Sequence, residues 1–190
     1  MVSAEARYAE AKYQGEVADK YVEKRRTKNK WWAEHRHIIP LLSDLPQGTS
    51  VLDVPVGTGR FIPLYEFLGF HVHGWDINAD MLKEAAKVVR GENVYLRRGN
   101  ALALDAPDQS YDVAVCIRLF RWLSKDEVVR VIKELQRVAK RRVIFNARTD
   151  HNHPYARSFD LITSAIEFPW RMMRSSEIEP GYTMFMLERA

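Results

Sequence analysis

Two carboxylates and two glycines supply the first chemical signal. Asp53-Val54-Pro55-Val56-Gly57-Thr58-Gly59 follows a short apolar run, and Asp76 stands 17 residues after Gly59. Glycines in such a turn let the backbone approach a ligand closely and leave the next helix N-terminus open to negative charge. An acid at the end of the following strand stands where a carboxylate accepts hydrogen bonds from ribose hydroxyls. Two kinds of nucleoside-bearing ligand suit this arrangement. A dinucleotide calls for G-x-G-x-x-G, and Gly57-Thr58-Gly59-Arg60-Phe61-Ile62 lacks the third glycine. Asp53 would also repel a pyrophosphate. A nucleoside joined to an amino acid welcomes that carboxylate, because Asp53 accepts from its ammonium group directly or through water.

A second group of residues mixes cations with aromatics and imidazoles. Arg118-Leu119-Phe120-Arg121-Trp122 can hold a carboxylate or phosphate and flank a planar acceptor; the plainer reading makes Phe120 and Trp122 core and both arginines solvated. Arg148-Thr149-Asp150-His151-Asn152-His153 gathers one carboxylate and two imidazoles in a loop. His151, His153 and Asp150 there suit a base or an acceptor-orienting group, or an ordinary polar loop, with a metal site the least favoured reading. Tyr13, Tyr21, Trp31 and Trp32 fall at helical spacings and read either as a lid or as packing. His35, His37, His71 and His73 read as structural or surface residues.

These residues need elements to hold them. Val51–Val54 reads as a strand, Gly59–Leu68 as a helix with Pro63 near its first turn, and His71–Asp76 as a second strand. Asn78 can cap a helix over Ala79–Val89, and Val94–Leu96 is a third strand. Tyr111–Ile117, nearly all apolar, reads as a strand buried on both faces. Ser124-Lys125-Asp126-Glu127 is a capping box opening a helix to about Lys140, before a fifth strand at Arg142–Asn146. Residues 154–167 suit another helix, and Trp170–Glu177 and Tyr182–Arg189 flank Glu179-Pro180-Gly181 like a hairpin. Ahead of all this, the first 45 residues look helical and basic, with Trp32, Arg36 and Ile39 on one helical spacing. Alternating strands and helices over residues 50–148 argue an α/β fold with a parallel sheet and helices on both faces.

The 190 residues suit one hydrophobic core, and 46% hydrophobic with 28% charged residues is the mix of a folded domain. The single cysteine, Cys116, excludes a disulfide framework, a Cys-rich zinc site and an iron–sulfur cluster. No apolar run approaches membrane-spanning length and the start carries no secretory pattern, so a cytoplasmic setting with no membrane partner is expected. The net charge of +4 permits an anionic substrate without requiring one. Lys20–Arg36 holds seven Lys/Arg against two Glu. Arg137, Lys140, Arg141 and Arg142 sit near a predicted helix C-terminus, where the macrodipole favours cations without any nucleic acid.

Val51-Leu52-Asp53-Val54-Pro55-Val56-Gly57-Thr58-Gly59-Arg60-Phe61 resembles motif I of class I S-adenosylmethionine (SAM)-dependent methyltransferases. His73-Gly74-Trp75-Asp76-Ile77-Asn78-Ala79-Asp80-Met81-Leu82 resembles the second motif, and Arg98-Gly99-Asn100-Ala101 and Asp108-Gln109-Ser110-Tyr111-Asp112 the segments around the adenine contact and fourth strand. The likeness spans about residues 48–148. Pro55 stands for the motif's usual first glycine and Asn100 for a frequent Asp. The resemblance implies a doubly wound, mostly parallel seven-stranded sheet with an antiparallel C-terminal strand, Tyr182–Arg189, beside the fifth. It implies SAM as cofactor and S-adenosylhomocysteine (SAH) as product. Gly57 and Gly59 would lie under the methionine portion, with Pro55 and Thr58 in the same turn. Asp53 would orient the amino group and Asp76 hold the ribose. Ile77 would pack on adenine, and Asn100 with the Ala101 backbone would read its edge. Arg118 would border the cofactor.

Residues 1–46 are then expected to form a helical lid or substrate segment and 47–190 the cofactor-binding core. Substrate contacts are expected from Tyr13, Tyr21, Trp31, Arg118 and Arg121. The reaction expected is methyl transfer to a small-molecule acceptor, anionic or aromatic, by a monomer or homodimer. RNA or another polyanion is the alternative acceptor, and a non-catalytic SAM-binding protein the alternative class. The amino-directed DNA enzymes' D/N/S-P-P-aromatic motif is missing from Ile117-Arg118-Leu119-Phe120, and Cys116 lacks the Pro-Cys setting of the cytosine C5 enzymes.

Overall fold

The computed structural model describes residues 11–12, 29–150 and 152–190. Tyr13, Tyr21 and His151 lie outside them, and of Trp31 only the helical backbone is described. Helix α1 (Asn29–Ile38) runs into a 3-10 turn at Ile39–Leu41. Strand β1 (Ser50–Asp53), helix α2 (Ile62–Phe67), strand β2 (His71–Asp76), helix α3 (Ala79–Ala86) and strand β3 (Val94–Arg98) follow. Then come β4 (Tyr111–Cys116), a 3-10 turn at Phe120–Trp122, α4 (Lys125–Val138), β5 (Ala139–Arg148), α5 (Phe159–Ser164), β6 (Trp170–Glu179) and β7 (Tyr182–Arg189).

The seven strands form one sheet in the order β3-β2-β1-β4-β5-β7-β6. β1 to β5 pair in parallel, and β7 lies antiparallel between β5 and β6. The strand order reverses at β1, so the crevice beyond the carboxyl ends of β1 and β4 is the natural ligand site.

Alternation along the strands explains why both sheet faces are covered. Val51, Val113, Val115, Ile144 and Met184 pack with Ile38, Leu42 and Tyr65 on one face. Leu52, Ala114, Cys116, Phe145 and Phe185 pack with Val128, Ile132 and Leu135 of α4 on the other. A side-chain period of two makes this division automatic once the register is set.

Several boundaries move from the expected ones for local reasons. α2 begins at Ile62 rather than Gly59, because the chain is still turning: Gly57 and Gly59 hold φ of +56° and +71°. α4 stops at Val138, since Ala139 is already extended and pairs with Tyr111. Lys140, Arg141 and Arg142 are therefore strand residues. Lys140 meets Asp112 at 3.5 Å, and the buried Arg142 pairs with Asp44 (2.7 Å) and Glu188. The helix expected over 154–167 shrinks to Phe159–Ser164, where Ser158 Oγ accepts from Leu161 N. In α1 the residues turned inward are Ala33, Glu34 and Ile38, whereas Trp32 and Arg36, with Ile39 of the following 3-10 turn, are exposed.

Candidate active site

The carboxyl ends of β1, β2 and β4 open into one cleft, about 1240 Å³ with its mouth included. One wall carries Asp53, Pro55, Gly57, Thr58 and Asp76; Ile77, Met81, Asn100, Ala101 and Leu102 line a second; Arg118, Arg121 and Trp122 border the mouth. The motif residues, distant in sequence, thus meet because parallel strands all end on the same edge.

Asp76 closes β2 and is 5% exposed. Its Oδ2 accepts from Gly57 N at 2.9 Å and its Oδ1 from Asn78 N at 2.9 Å. Those two bonds fix the carboxylate plane and leave each oxygen a further lone pair. Asn78 in turn caps α3, accepting from Asp80 N at 2.8 Å and Met81 N at 3.2 Å. Asp53, at the end of β1, is 2% exposed and accepts from Tyr65 Oη at 3.3 Å.

Neither carboxylate has a cation within ion-pair distance among the described residues. Burial pushes Asp53 up to about 7, against the opposing Tyr65 bond and the more distant Arg60, with Asp76 adding repulsion. Burial likewise raises Asp76 to about 6 despite the N–H groups of Asn78 and Gly57. Two buried carboxyl groups lining one cleft, with no cation paired to either among the described residues, make a receptor for a positively charged ligand, which favours their ionised forms.

The glycines divide their work. Gly57 lines the cleft; Gly59 does not. A Cβ on Gly59 would lie 2.7 Å from Ile62 Cδ1 and 2.8 Å from Val88 Cγ2. Glycine is therefore needed there for the packing of α2 against the chain after α3. Asn100 Oδ1 accepts from Leu102 N at 2.9 Å, so the side chain also shapes its own turn.

Beside the cleft lies a polar cluster with little trace in local sequence spacing. Glu34 of α1 is fully buried. It pairs with Arg60 and with Arg118 Nε at 2.8 Å, and accepts from Asn146 Nδ2 at 3.0 Å. Asn146 Oδ1 accepts from Arg118 N at 2.8 Å and from Tyr182 Oη at 3.4 Å. Arg118 sits at φ +65°, a left-handed conformation that non-glycine residues hold only when their surroundings over-determine it. Glu34, Arg60, Asn146 and Tyr182 come from four separate elements or loops, so no local spacing links them. The one available hint was an acid within a stretch of seven cations.

The described residues of the loop after β5 lie off the cleft lining. Asp150 is held by Arg148 (2.8 Å), below the usual carboxylate range, and packs against Gly181 of the β6–β7 turn. His153 Nδ1 accepts from Tyr155 N at 3.2 Å and its ring lies 5.4 Å from that of Tyr155. No cluster of His, Cys, Asp and Glu able to hold a metal occurs among the described residues. Cys116 is buried in β4, and burial raises its thiol well above the usual value.

The lining suits SAM on three counts. Two uncompensated carboxylates can face its sulfonium and ammonium charges, the orienting bonds of Asp76 leave acceptors for ribose hydroxyls, and Ile77, Met81 and Leu102 give an apolar wall for a base.

Comparison with known proteins agrees with this geometry. A profile of the methyltransferase-domain family matches residues 51–142. Demethylmenaquinone methyltransferase of Listeria welshimeri is 36% identical over 105 residues, covering 52% of this chain and 44% of the relative. Phosphatidylethanolamine N-methyltransferase of Cereibacter sphaeroides is 34% identical over 99 residues, covering 50% and 47%. The chain thus spans less than half the length of these curated relatives. Magnesium protoporphyrin IX methyltransferase from Synechocystis, solved with bound SAM, superposes with a TM-score of 0.77 at 16% identity, covering 99% of this chain and 98% of that one. Residues 51–142 thus match the methyltransferase-domain family in sequence, and nearly the whole chain shares the fold of a SAM-bound methyltransferase.

Proposed function

We propose that this chain binds SAM in the cleft at the ends of β1, β2 and β4 and methylates a small-molecule acceptor entering past Arg118 and Arg121. The observation carrying the reading is the pair of buried carboxylates, Asp53 and Asp76, facing one cleft with no cation of the described residues within ion-pair distance. A pyrophosphate ligand would meet repulsion there, whereas a cationic one relieves it.

SAM supplies a methyl group already activated by its sulfonium, for in-line displacement that releases SAH. The work left to the protein is orientation and exclusion of water. Asp53 holds the ammonium end and Asp76 the ribose. Ile77, Asn100 and Ala101 border the base, while Pro55, Gly57 and Thr58 form the floor beneath the amino acid portion. Leu119 and Trp122 give an apolar side to the acceptor space. Tyr13, Tyr21 and Trp31 are retained as lid contacts, and of the Asp150, His151 and His153 group His151 is retained as the acid–base residue, since Asp150 is held by Arg148 and His153 accepts from Tyr155 N. Support for a small acceptor comes from relatives whose names specify a quinone, a phospholipid and a porphyrin.

The test is a transfer screen with radiolabelled methyl SAM across phenols, amines, carboxylates and RNA, alongside calorimetry with SAH. Micromolar SAH binding and transfer to one small acceptor are expected. Binding without transfer to any acceptor would mark a cofactor-binding protein instead.

A further inference from the structure

Arg118 and Arg121 both border the mouth of the cleft, yet their surroundings differ. Arg118 is engaged: its guanidinium meets Glu34 at 2.8 Å, and its backbone N–H is held by Asn146. Arg121 Nε is buried and has no hydrogen-bond partner. No carboxylate among the described residues forms an ion pair with Arg121. Its guanidinium lies 4.7 Å from the centroid of the Trp122 ring and 5.7 Å from that of Tyr155, and Lys12 Nζ lies 5.1 Å from the same Trp122 centroid.

Aromatic faces hold a guanidinium in place, but they do not accept its N–H bonds in the way an oxygen does. A buried donor without an acceptor destabilises the fold. A ligand anion answers the charge that no described carboxylate pairs, and a carboxylate does so with two oxygens matched to the guanidinium fork. The cleft is also polar end to end, with Asp53 and Asp76 inside and arginines at the mouth. A cation is drawn inward and an anion stays at the rim.

We propose that Arg121 anchors a carboxylate of the methyl acceptor, and that Arg118, already committed to Glu34, does not. The assignment rests on the methyl-transfer reading above and adds the charge class of the acceptor. One other molecule carries the same chemistry, since SAM has a carboxylate of its own. The experiment therefore separates the two sources.

The SAH-loaded chain is titrated calorimetrically with 2-naphthoate and with 2-naphthamide, which share a ring system and differ in charge. The wild-type chain is expected to bind the acid at least ten-fold more tightly than the amide. Arg121→Gln should bring that preference to within two-fold, while SAH affinity stays within two-fold of wild type. Arg121→Lys, which keeps the charge and loses the fork, should retain part of the preference, and thermal melts of both variants report folding. No charge preference in the wild-type chain, or binding of neither probe at millimolar concentration, overturns the proposal. A ten-fold loss of SAH affinity in a folded Arg121→Gln also overturns it, because the anion would then belong to the cofactor. Failure of the methyl-transfer reading appears separately, as an absence of SAH binding by the wild-type chain.

Discussion

A carboxylate buried without a cation raises the free energy of the folded chain, and Asp53 and Asp76 share one cleft in that condition. Asp76 also organises backbone: it ties the turn at Gly57 to the cap of α3 through Asn78. Replacing it by alanine removes the ribose acceptor and frees both N–H groups. At roughly 1.5–3 kcal/mol for each hydrogen bond to a charged group, Asp76→Ala should weaken SAM binding ten-fold or more by calorimetry. An unchanged affinity in a folded variant removes the ribose role. Asp150 and His153 in the loop after β5 are expected to behave differently, because Asp150 is occupied by Arg148 and His153 lies beside Tyr155. Asp150→Ala and His153→Ala should each leave turnover within about two-fold. A ten-fold fall in either, at unchanged SAM affinity, would return that residue to the chemistry.

Among the elements, α1 and the turn before α2 carry the least obvious dependencies. Glu34 of α1 supplies the carboxylate of the polar cluster joining β5, β7 and the turns after β1 and β4. Removing its charge leaves Arg60 and Arg118 without their carboxylate, and breaking a buried pair from one side costs about 3–5 kcal/mol when both groups are dry. Both arginines keep some solvent contact, so Glu34→Gln should destabilise by roughly 2 kcal/mol. Hydrogen exchange should show α1 losing protection before α4; equal loss in both would deny α1 its own docking. Gly59→Ala probes the turn: at φ +71°, with Ile62 and Val88 closer than a methyl allows, it should lower stability by roughly 1–3 kcal/mol. The same two places mark how far the sequence could be read. The β1 turn, Asp76, the Asn78 cap and the Ser124–Glu127 capping box were all legible, because each is set by neighbours within a few residues. Seven strands and the place of β7 followed from the family likeness. Glu34 and Asn146 were not legible, because their partners are set by tertiary packing. The spacing of Trp32, Arg36 and Ile39 was helical as expected, but periodicity cannot say which side of a helix faces inward. Gly59 was expected beneath the ligand, and packing behind the turn, against Ile62 and the residues flanking α3, gives a further reason for glycine there.

For the molecule as a whole, the two buried acids link stability, pH and ligand binding. A carboxyl whose pKa rises on folding binds more protons in the folded than in the unfolded chain between the two values, so its stabilising contribution is present below pH 4 and fades as pH climbs. For Asp53 and Asp76 that window runs from about 4 to about 7. Asp44, Asp112 and Glu134 have the opposite sign, held low by Arg142, by Ser50 and by Arg137 respectively, and lose their contribution only below the ordinary carboxylate range. His73, lowered by burial and by Arg97, loses its contribution as pH falls below 6.5 and so opposes the two acids within part of their window. The difference between wild type and Asp53→Asn isolates one contributor from the rest. Without ligand, Asp53→Asn should gain stability relative to wild type as pH rises from 5 to 8. With saturating SAM the order should reverse, because a bound ammonium group favours the ionised carboxylate and the asparagine offers it no charge. The thermal shift produced by SAM should accordingly grow with pH in the wild-type chain and stay nearly flat in Asp53→Asn. A wild-type shift that does not change between pH 5 and 8 would mean that Asp53 is already ionised before the ligand arrives, and that the cleft is not the cation receptor its burial implies.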